Sequence, residues 1–208
     1  MKLKNLFKRN YIFLLLILFF TIFCILIKSY CSNYILLVDD KVSNFFINNM
    51  TNKKIDIFMK IITKFCDFSV AGLVVLLILL ITNNKFKNIL YILDASFILI
   101  ICSSIKIIFK RQRPQFALIN IPKTYSFPSG HTFFATAFYG FFLFNIFKTN
   151  ISKGIKYLLV LVLSVLIILI AVSRIYLNVH YFTDVLCGFI YGIFTLMIFI
   201  NIYNERKE

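Results

Sequence analysis

Residues 157–173 read Tyr-Leu-Leu-Val-Leu-Val-Leu-Ser-Val-Leu-Ile-Ile-Leu-Ile-Ala-Val-Ser, a run without a charge that ends immediately before Arg174. A helix rises about 1.5 Å per residue, so with its flanks this run matches a hydrocarbon layer about 30 Å thick. Comparable apolar runs lie near residues 11–27, 66–82, 88–108, 131–147 and 181–203. Backbone N–H and C=O groups find no water inside a bilayer, and helices satisfy them internally. The pattern predicts an all-α, polytopic membrane protein with six transmembrane helices. No fixed-period repeat, Pro-rich linker or low-complexity stretch divides residues 1–208, which therefore read as a single domain.

Composition supports this. Hydrophobic residues make up 61% of the chain and charged residues 15%, against about 45–50% and about 25% in a soluble domain, which excludes a water-soluble globule. The formal net charge is +15. Basic residues gather at the ends of apolar runs, where long cationic side chains reach anionic headgroups, so membrane lipids are the expected partners and nucleic acid is not. The cysteines Cys24, Cys31, Cys66, Cys102 and Cys187 form no CxxC pair, and all but Cys31 fall in or beside apolar runs, as packing residues do. Lys2, Lys4, Lys8 and Arg9 ahead of residues 11–27 resemble the start of a signal peptide. No small-residue cleavage site follows, and an uncleaved first span is expected. Basic density in the short loops places the N- and C-termini in the cytoplasm.

About forty residues separate the first two runs, and within them Ile55, Phe58, Met59, Ile62 and Phe65 recur at helical spacing. Lys54, Asp56, Lys60, Thr63 and Lys64 fill the gaps, predicting an amphipathic interfacial helix with a solvated polar face. Asp94 stands mid-span, where a carboxylate is costly; packing and a proton or substrate role are both open to it.

Three polar clusters fall on one side of a six-span topology: Lys106-Ile-Ile-Phe-Lys-Arg-Gln-Arg113-Pro114, Pro128-Ser-Gly-His131, and Ser173-Arg174-Ile-Tyr-Leu-Asn-Val-His180-Tyr-Phe-Thr-Asp184. Lys106 and Arg113, seven apart, share a face if the helix continues to Pro114. Arg113 and Arg174 carry guanidinium forks suited to phosphate. Ser129 can cap the helix after Pro128, with Gly130 allowing close backbone approach and free N–H groups facing an anion. His180 and Asp184, at i and i+4, lie on one face of a helix, so the carboxylate can orient the ring.

The chain's two histidines, His131 and His180, both fall in these clusters beside cations. Phosphoryl transfer then divides the labour: His180 attacks phosphorus, His131 protonates the leaving oxygen, and Lys106, Arg113, Ser129, Gly130 and Arg174 offset charge on the phosphate oxygens. A metal held by His131, His180 and Asp184 is the competing arrangement, opposed by the cations around it. No metal or cofactor is expected.

The three segments resemble the tripartite signature of the type 2 phosphatidic acid phosphatase (PAP2) family, KxxxxxxRP, PSGH and SRxxxxxHxxxD, shared with vanadium-dependent haloperoxidases. Every signature position between Lys106 and Asp184 is filled. The resemblance implies a metal-independent membrane phosphatase with a PAP2/haloperoxidase-like helical core, a site on the extracytoplasmic side of a bacterial cytoplasmic membrane, and a phosphohistidine on His180. It also implies His131 as general acid, Asp184 as the orienting carboxylate, and Lys106, Arg113, Ser129, Gly130 and Arg174 as phosphate ligands. By analogy the expected substrate is a lipid phosphate or diphosphate, undecaprenyl diphosphate first and phosphatidylglycerophosphate or phosphatidic acid next. A transporter that binds a phosphorylated lipid without cleaving it is the alternative of a different class.

Overall fold

A computed structural model describes residues 2–30, 32–81, 84–120 and 123–205, and these are helical and irregular with no strand among them. Cys31, Arg206 and Lys207 lie outside the described residues. The helices are α1 (Lys2–Tyr30), α2 (Ser32–Asn49), α3 (Lys53–Lys64), α4 (Phe68–Ile81) and α5 (Lys85–Phe109), then α6 (Gly130–Phe134), α7 (Gly140–Phe147), α8 (Lys153–Tyr176) and α9 (Phe182–Glu205). A π-helical turn, Ala135–Tyr139, joins α6 to α7.

Helices cover most of each of the six apolar runs, but three helices among the described residues, α5, α8 and α9, are long and apolar enough to cross a membrane. The expectation of six such helices is corrected to that extent. The run 66–82 opens in a turn at Cys66 and Asp67, leaving α4 with 14 residues, or about 21 Å. The run 131–147 is broken into short pieces by the π turn. On α8 only 6% of the apolar window is buried by protein. An apolar face so bare is one that lipid covers.

The stretch between the first two runs holds two helices where the sequence predicts one. α2 turns Asp39 and Ser43 inward, at 0% and 8% exposure, while Leu36, Leu37 and Phe45 face outward. A search for a buried apolar stripe passes over a helix whose buried face is polar. α3 follows, capped by Asn52, whose Oδ1 accepts the Lys54 N–H at 2.9 Å. Its Ile55 and Met59, with Phe46 of α2, pack on Tyr176, Leu177 and Val179. Tyr176 donates to Asp56 at 2.5 Å, fastening this cap to the end of α8.

The main core lies between α5, the α6–α7 segment and α9, where Phe133, Phe138, Phe141 and Tyr191 are buried. Thr21 Oγ1 lies 3.0 Å from the Tyr191 hydroxyl and ties α1 to α9. Gly192 meets the π turn: a Cβ there would stand 2.5 Å from the Thr136 Cβ, so only glycine lets these backbones approach. Asp94 is fully buried, and among the described residues neither carboxylate oxygen has a hydrogen-bond partner.

Candidate active site

α5 stops at Phe109 because Lys110 adopts a left-handed conformation, φ 46°, and its N–H closes on the Lys106 carbonyl at 2.9 Å. Arg113 therefore does not share a continuing helix with Lys106, contrary to the spacing argument. The two still converge, on the loop 124–128. Lys106 Nζ donates to the carbonyls of Tyr125 at 2.6 Å, Pro128 at 2.9 Å and Ser126 at 3.4 Å. Arg113 Nε donates to the Thr124 carbonyl at 2.8 Å, and its Nη2 to Thr124 Oγ1 at 3.0 Å. The loop leads to Ser129, the cap of α6, whose Oγ accepts the Thr132 N–H. Ser129 N–H donates to the Asp184 carbonyl at 3.0 Å. Beside it a Cβ on Gly188 would come within 2.6 Å of the Ser129 carbonyl, so α9 seats directly on the loop. Gly130 is less confined, with the Cys102 Sγ 3.4 Å from where its Cβ would be.

His180 is not on a helix. It sits in the turn between α8 and α9, behind Asn178 at φ 51°, with its N–H on the Arg174 carbonyl at 3.3 Å. The expected pairing with Asp184 arises differently from the spacing argument. Asp184, in the first turn of α9, reaches back to accept the Tyr181 N–H at 3.0 Å, which aims its carboxylate at the residue before. Asp184 Oδ2 then lies 3.5 Å from His180 Nδ1 and accepts from Ser126 Oγ at 2.5 Å. Ser126 Oγ is itself 3.3 Å from Nδ1.

On the other side of the ring, Nε2 lies 3.0 Å from Arg113 Nη1. A guanidinium only donates, so Nε2 presents its lone pair and Nδ1 carries the proton toward Asp184. Burial holds the His180 pKa well below its ordinary 6.5, against the pull of Asp184 and with help from Arg174 and Arg113. The ring is thus neutral at neutral pH, with its Nε2 lone pair accepting from the Arg113 guanidinium.

Arg174 is 2% exposed. Its Nη1 donates to Thr63 Oγ1 of α3, and its Nε has no partner among the described residues. A buried guanidinium with an unused N–H is ready for an anion. His131 Nε2 lies 3.2 Å from Asp67 Oδ1, and that hydrogen bond holds the Asp67 carboxyl below the usual range despite partial burial. The polar side of α3 and the turn after it are therefore not merely solvated: Thr63 and Asp67 touch two predicted site residues. Among the described residues no three His, Cys, Asp or Glu side chains form a metal-ligand group, which leaves the His131–His180–Asp184 metal arrangement without geometric support.

The profile of the PAP2 superfamily matches residues 73–208. The chain belongs to the PAP2 superfamily. Phosphatidylglycerophosphatase B of Bacillus subtilis (strain 168) is 34% identical over 99 residues, 47% of this chain and 48% of that protein. The chain thus matches about half the length of that curated relative. The crystal structure of the transmembrane PAP2-type phosphatidylglycerolphosphate phosphatase from Bacillus subtilis superposes with a TM-score of 0.79 at 22% identity, covering 94% of this chain and 96% of that one. Aquifex aeolicus LpxE superposes with a TM-score of 0.62 at 23% identity, covering 78% and 94%. With its bare apolar helices, the PAP2 chain has the fold of a transmembrane protein.

Arg111, Ser126, Thr63 and Asp67 of this PAP2 chain touch predicted site residues, Asp39 reaches Asp184 through Arg111, and none of the five is picked out as a site residue by sequence. Arginine is scarce, five against eighteen lysines, and that scarcity singles out Arg111 as readily as Arg113. Asp39, Thr63, Asp67 and Ser126 carry no comparable signal, since each lies outside the spaced motifs.

Proposed function

We propose that this PAP2 chain is an integral-membrane lipid phosphatase working through a phosphohistidine on His180. The observation that carries the reading is the orientation of His180, with Nδ1 toward Asp184 and Nε2 toward Arg113. A phosphoryl group drawn to Arg113 and the unused Nε of Arg174 meets the Nε2 lone pair. Nε2 forms the P–N bond as the bond from phosphorus to the lipid oxygen breaks, and His131 gives that oxygen its proton. Water then attacks phosphorus and passes a proton to His131; the P–N bond breaks, releasing inorganic phosphate and the neutral ring. Asp184 stabilises the positive charge that the ring acquires on attack. Lys106 fixes the loop carrying Ser129 and Gly130, and its charge adds to the field on the phosphate.

For the lipid, we infer a phosphate monoester with a glycerol-based headgroup, phosphatidylglycerophosphate, because the name of the curated relative points to it. Basic density in the short loops supports a site on the extracytoplasmic side. A cavity of about 440 Å³ between α1, α2 and α9 is lined by Phe20, Leu36, Phe109, Leu186 and Ile190, with Arg111 and Thr183 also in its wall. Its apolar walls suit the hydrocarbon tail.

Phosphate release by purified protein in mixed micelles is the test, with phosphatidylglycerophosphate, phosphatidic acid and undecaprenyl diphosphate compared side by side. Turnover by wild type and none by His180→Ala is expected, with kcat/KM highest for phosphatidylglycerophosphate. Equal background release by both proteins, with lipid still bound, transfers the case to a non-hydrolytic binder. A preference for undecaprenyl diphosphate retains the chemistry and replaces the substrate.

A further inference from the structure

Behind Asp184, on the side away from His180, lies a buried charge chain that the phosphoryl-transfer scheme does not use. Arg111 Nη1 donates to Asp184 Oδ1 at 2.7 Å and to Thr183 Oγ1 at 2.8 Å, while its Nη2 meets Asp39 Oδ2 at 2.5 Å. Asp39 also accepts from Thr183, at 2.9 Å from its N–H and 2.7 Å from its hydroxyl. Both carboxylates are fully buried, and the guanidinium lies 4.2 Å from the centre of the Tyr181 ring. Three separate parts of the chain, α2, the loop after α5 and the start of α9, meet at one guanidinium.

Two features of this chain bear on the reaction. The first is geometric: Arg111 holds Oδ1, leaving Oδ2 to Ser126, the Tyr181 N–H and His180. With one oxygen fixed, the carboxylate plane cannot turn away from the ring. The second is electrostatic. A lone guanidinium on Asp184 would neutralise it, and a neutralised carboxylate stabilises imidazolium poorly. Asp39 draws on the same guanidinium, so the group of three keeps a net negative charge behind His180, which is where positive charge grows when Nε2 attacks phosphorus. Burying two carboxylates against one cation is costly as a purely stabilising device, because apolar residues of similar volume usually serve stability at least as well.

We propose that Arg111 and Asp39 are positioning residues for catalysis, Arg111 fixing the plane of Asp184 and Asp39 preserving its negative charge toward His180. This rests on the reading of His180 as the nucleophile. The charged groups around His180 are Arg113 from the loop, Arg174 from α8 and Asp184 from α9, with Lys106 of α5 among the cations acting on Asp184. Arg111 and Asp39 stand one and two contacts behind.

The test is steady-state phosphate release from phosphatidylglycerophosphate in mixed micelles by wild type, Asp39→Asn, Arg111→Gln, the double variant and His180→Ala, with kcat, KM and the acid limb of kcat/KM recorded. Asp39→Asn keeps its shape and lets Arg111 neutralise Asp184. It is expected to lower kcat about tenfold or more at similar KM, the scale of losing an outer hydrogen-bond partner, and to move the acid limb to lower pH. Arg111→Gln removes a cation and is expected to lower kcat at least as far while moving the limb to higher pH. The double variant, with Asp184's charge restored but its plane unfixed, returns the limb toward wild type and leaves kcat low.

Opposite shifts from two touching residues are not produced by general loosening of the fold. Wild-type kcat and an unmoved limb in folded Asp39→Asn, or shifts of the same sign in both single variants, overturn the proposal. Should Arg111→Gln not fold, the isosteric Asp39→Asn alone decides, by its kcat and the direction of its limb. Turnover unaffected by His180→Ala instead removes the reading on which the proposal rests, which separates that failure from failure of the positioning pair.

Discussion

His180 must attack as a neutral ring, and its burial among cations makes that the favoured state. The sign follows directly. A histidine with a folded pKa below 6.5 stays unprotonated as pH falls through 6.5, so kcat/KM is expected to hold through that point and decline only at lower pH. Stability behaves accordingly: the unfolded chain takes up a proton near 6.5 and the folded one does not, so the contribution is complete above that pH and lost as pH falls. A pH–rate profile checks this, and an acid limb at or above 6.5 contradicts it. Asp67 offers a second prediction at this scale. Its carboxylate holds the ring proposed as the acid, at 3.2 Å. Asp67→Asn should lower kcat about tenfold for a lipid alkoxide leaving group and much less for p-nitrophenyl phosphate, which needs little protonation. Equal losses on both substrates would sink that role. The signature positions stand out in the sequence because histidine and arginine are scarce and because the three segments resemble one family signature. Asp67, Asp39 and Arg111 were not legible as site residues, because their partners lie 64 to 144 residues away.

Elements explain why the clusters meet. The apolar runs were readable as helices since lipid-facing helices need little else, but their ends were not readable from hydropathy. The left-handed Lys110 and the turn holding His180 break the helices on which two of the spacing arguments relied. Convergence survived because backbone carbonyls, which sequence does not display, collect Lys106 and Arg113 onto one loop. α2 stayed hidden by burying Asp39 and Ser43 instead of an apolar stripe. The close seating of α9 on that loop carries its own prediction. Gly188→Ala puts a Cβ 2.6 Å from the Ser129 carbonyl, a backbone atom that cannot swing aside. Moving the helix off the loop should cost about 1–3 kcal/mol and also loosen the Ser129 N–H to Asp184 carbonyl bond, so both the melting temperature and kcat should fall. Gly154→Ala, with open space at that position, is the control expected to change neither.

Across the whole molecule, the polar site and the apolar cavity share a wall. Arg111 and Thr183 line the cavity, and through Arg111 that wall is bonded to Asp184. A lipid phosphatase has to hold a charged head beside its nucleophile and a hydrocarbon tail in an apolar channel at the same time. If the tail occupies this cavity, filling it should affect only substrates that have a tail. Ile190 lies on α9 about one and a half turns beyond Asp184, far enough to leave the ion network untouched. Ile190→Trp should therefore raise KM for a long-chain lipid phosphate about tenfold, leave kcat nearly unchanged, and leave p-nitrophenyl phosphate hydrolysis as in wild type. Unchanged KM for the long-chain lipid would place the tail elsewhere. A parallel loss on p-nitrophenyl phosphate would show instead that the substitution had reached Asp184 through the shared wall.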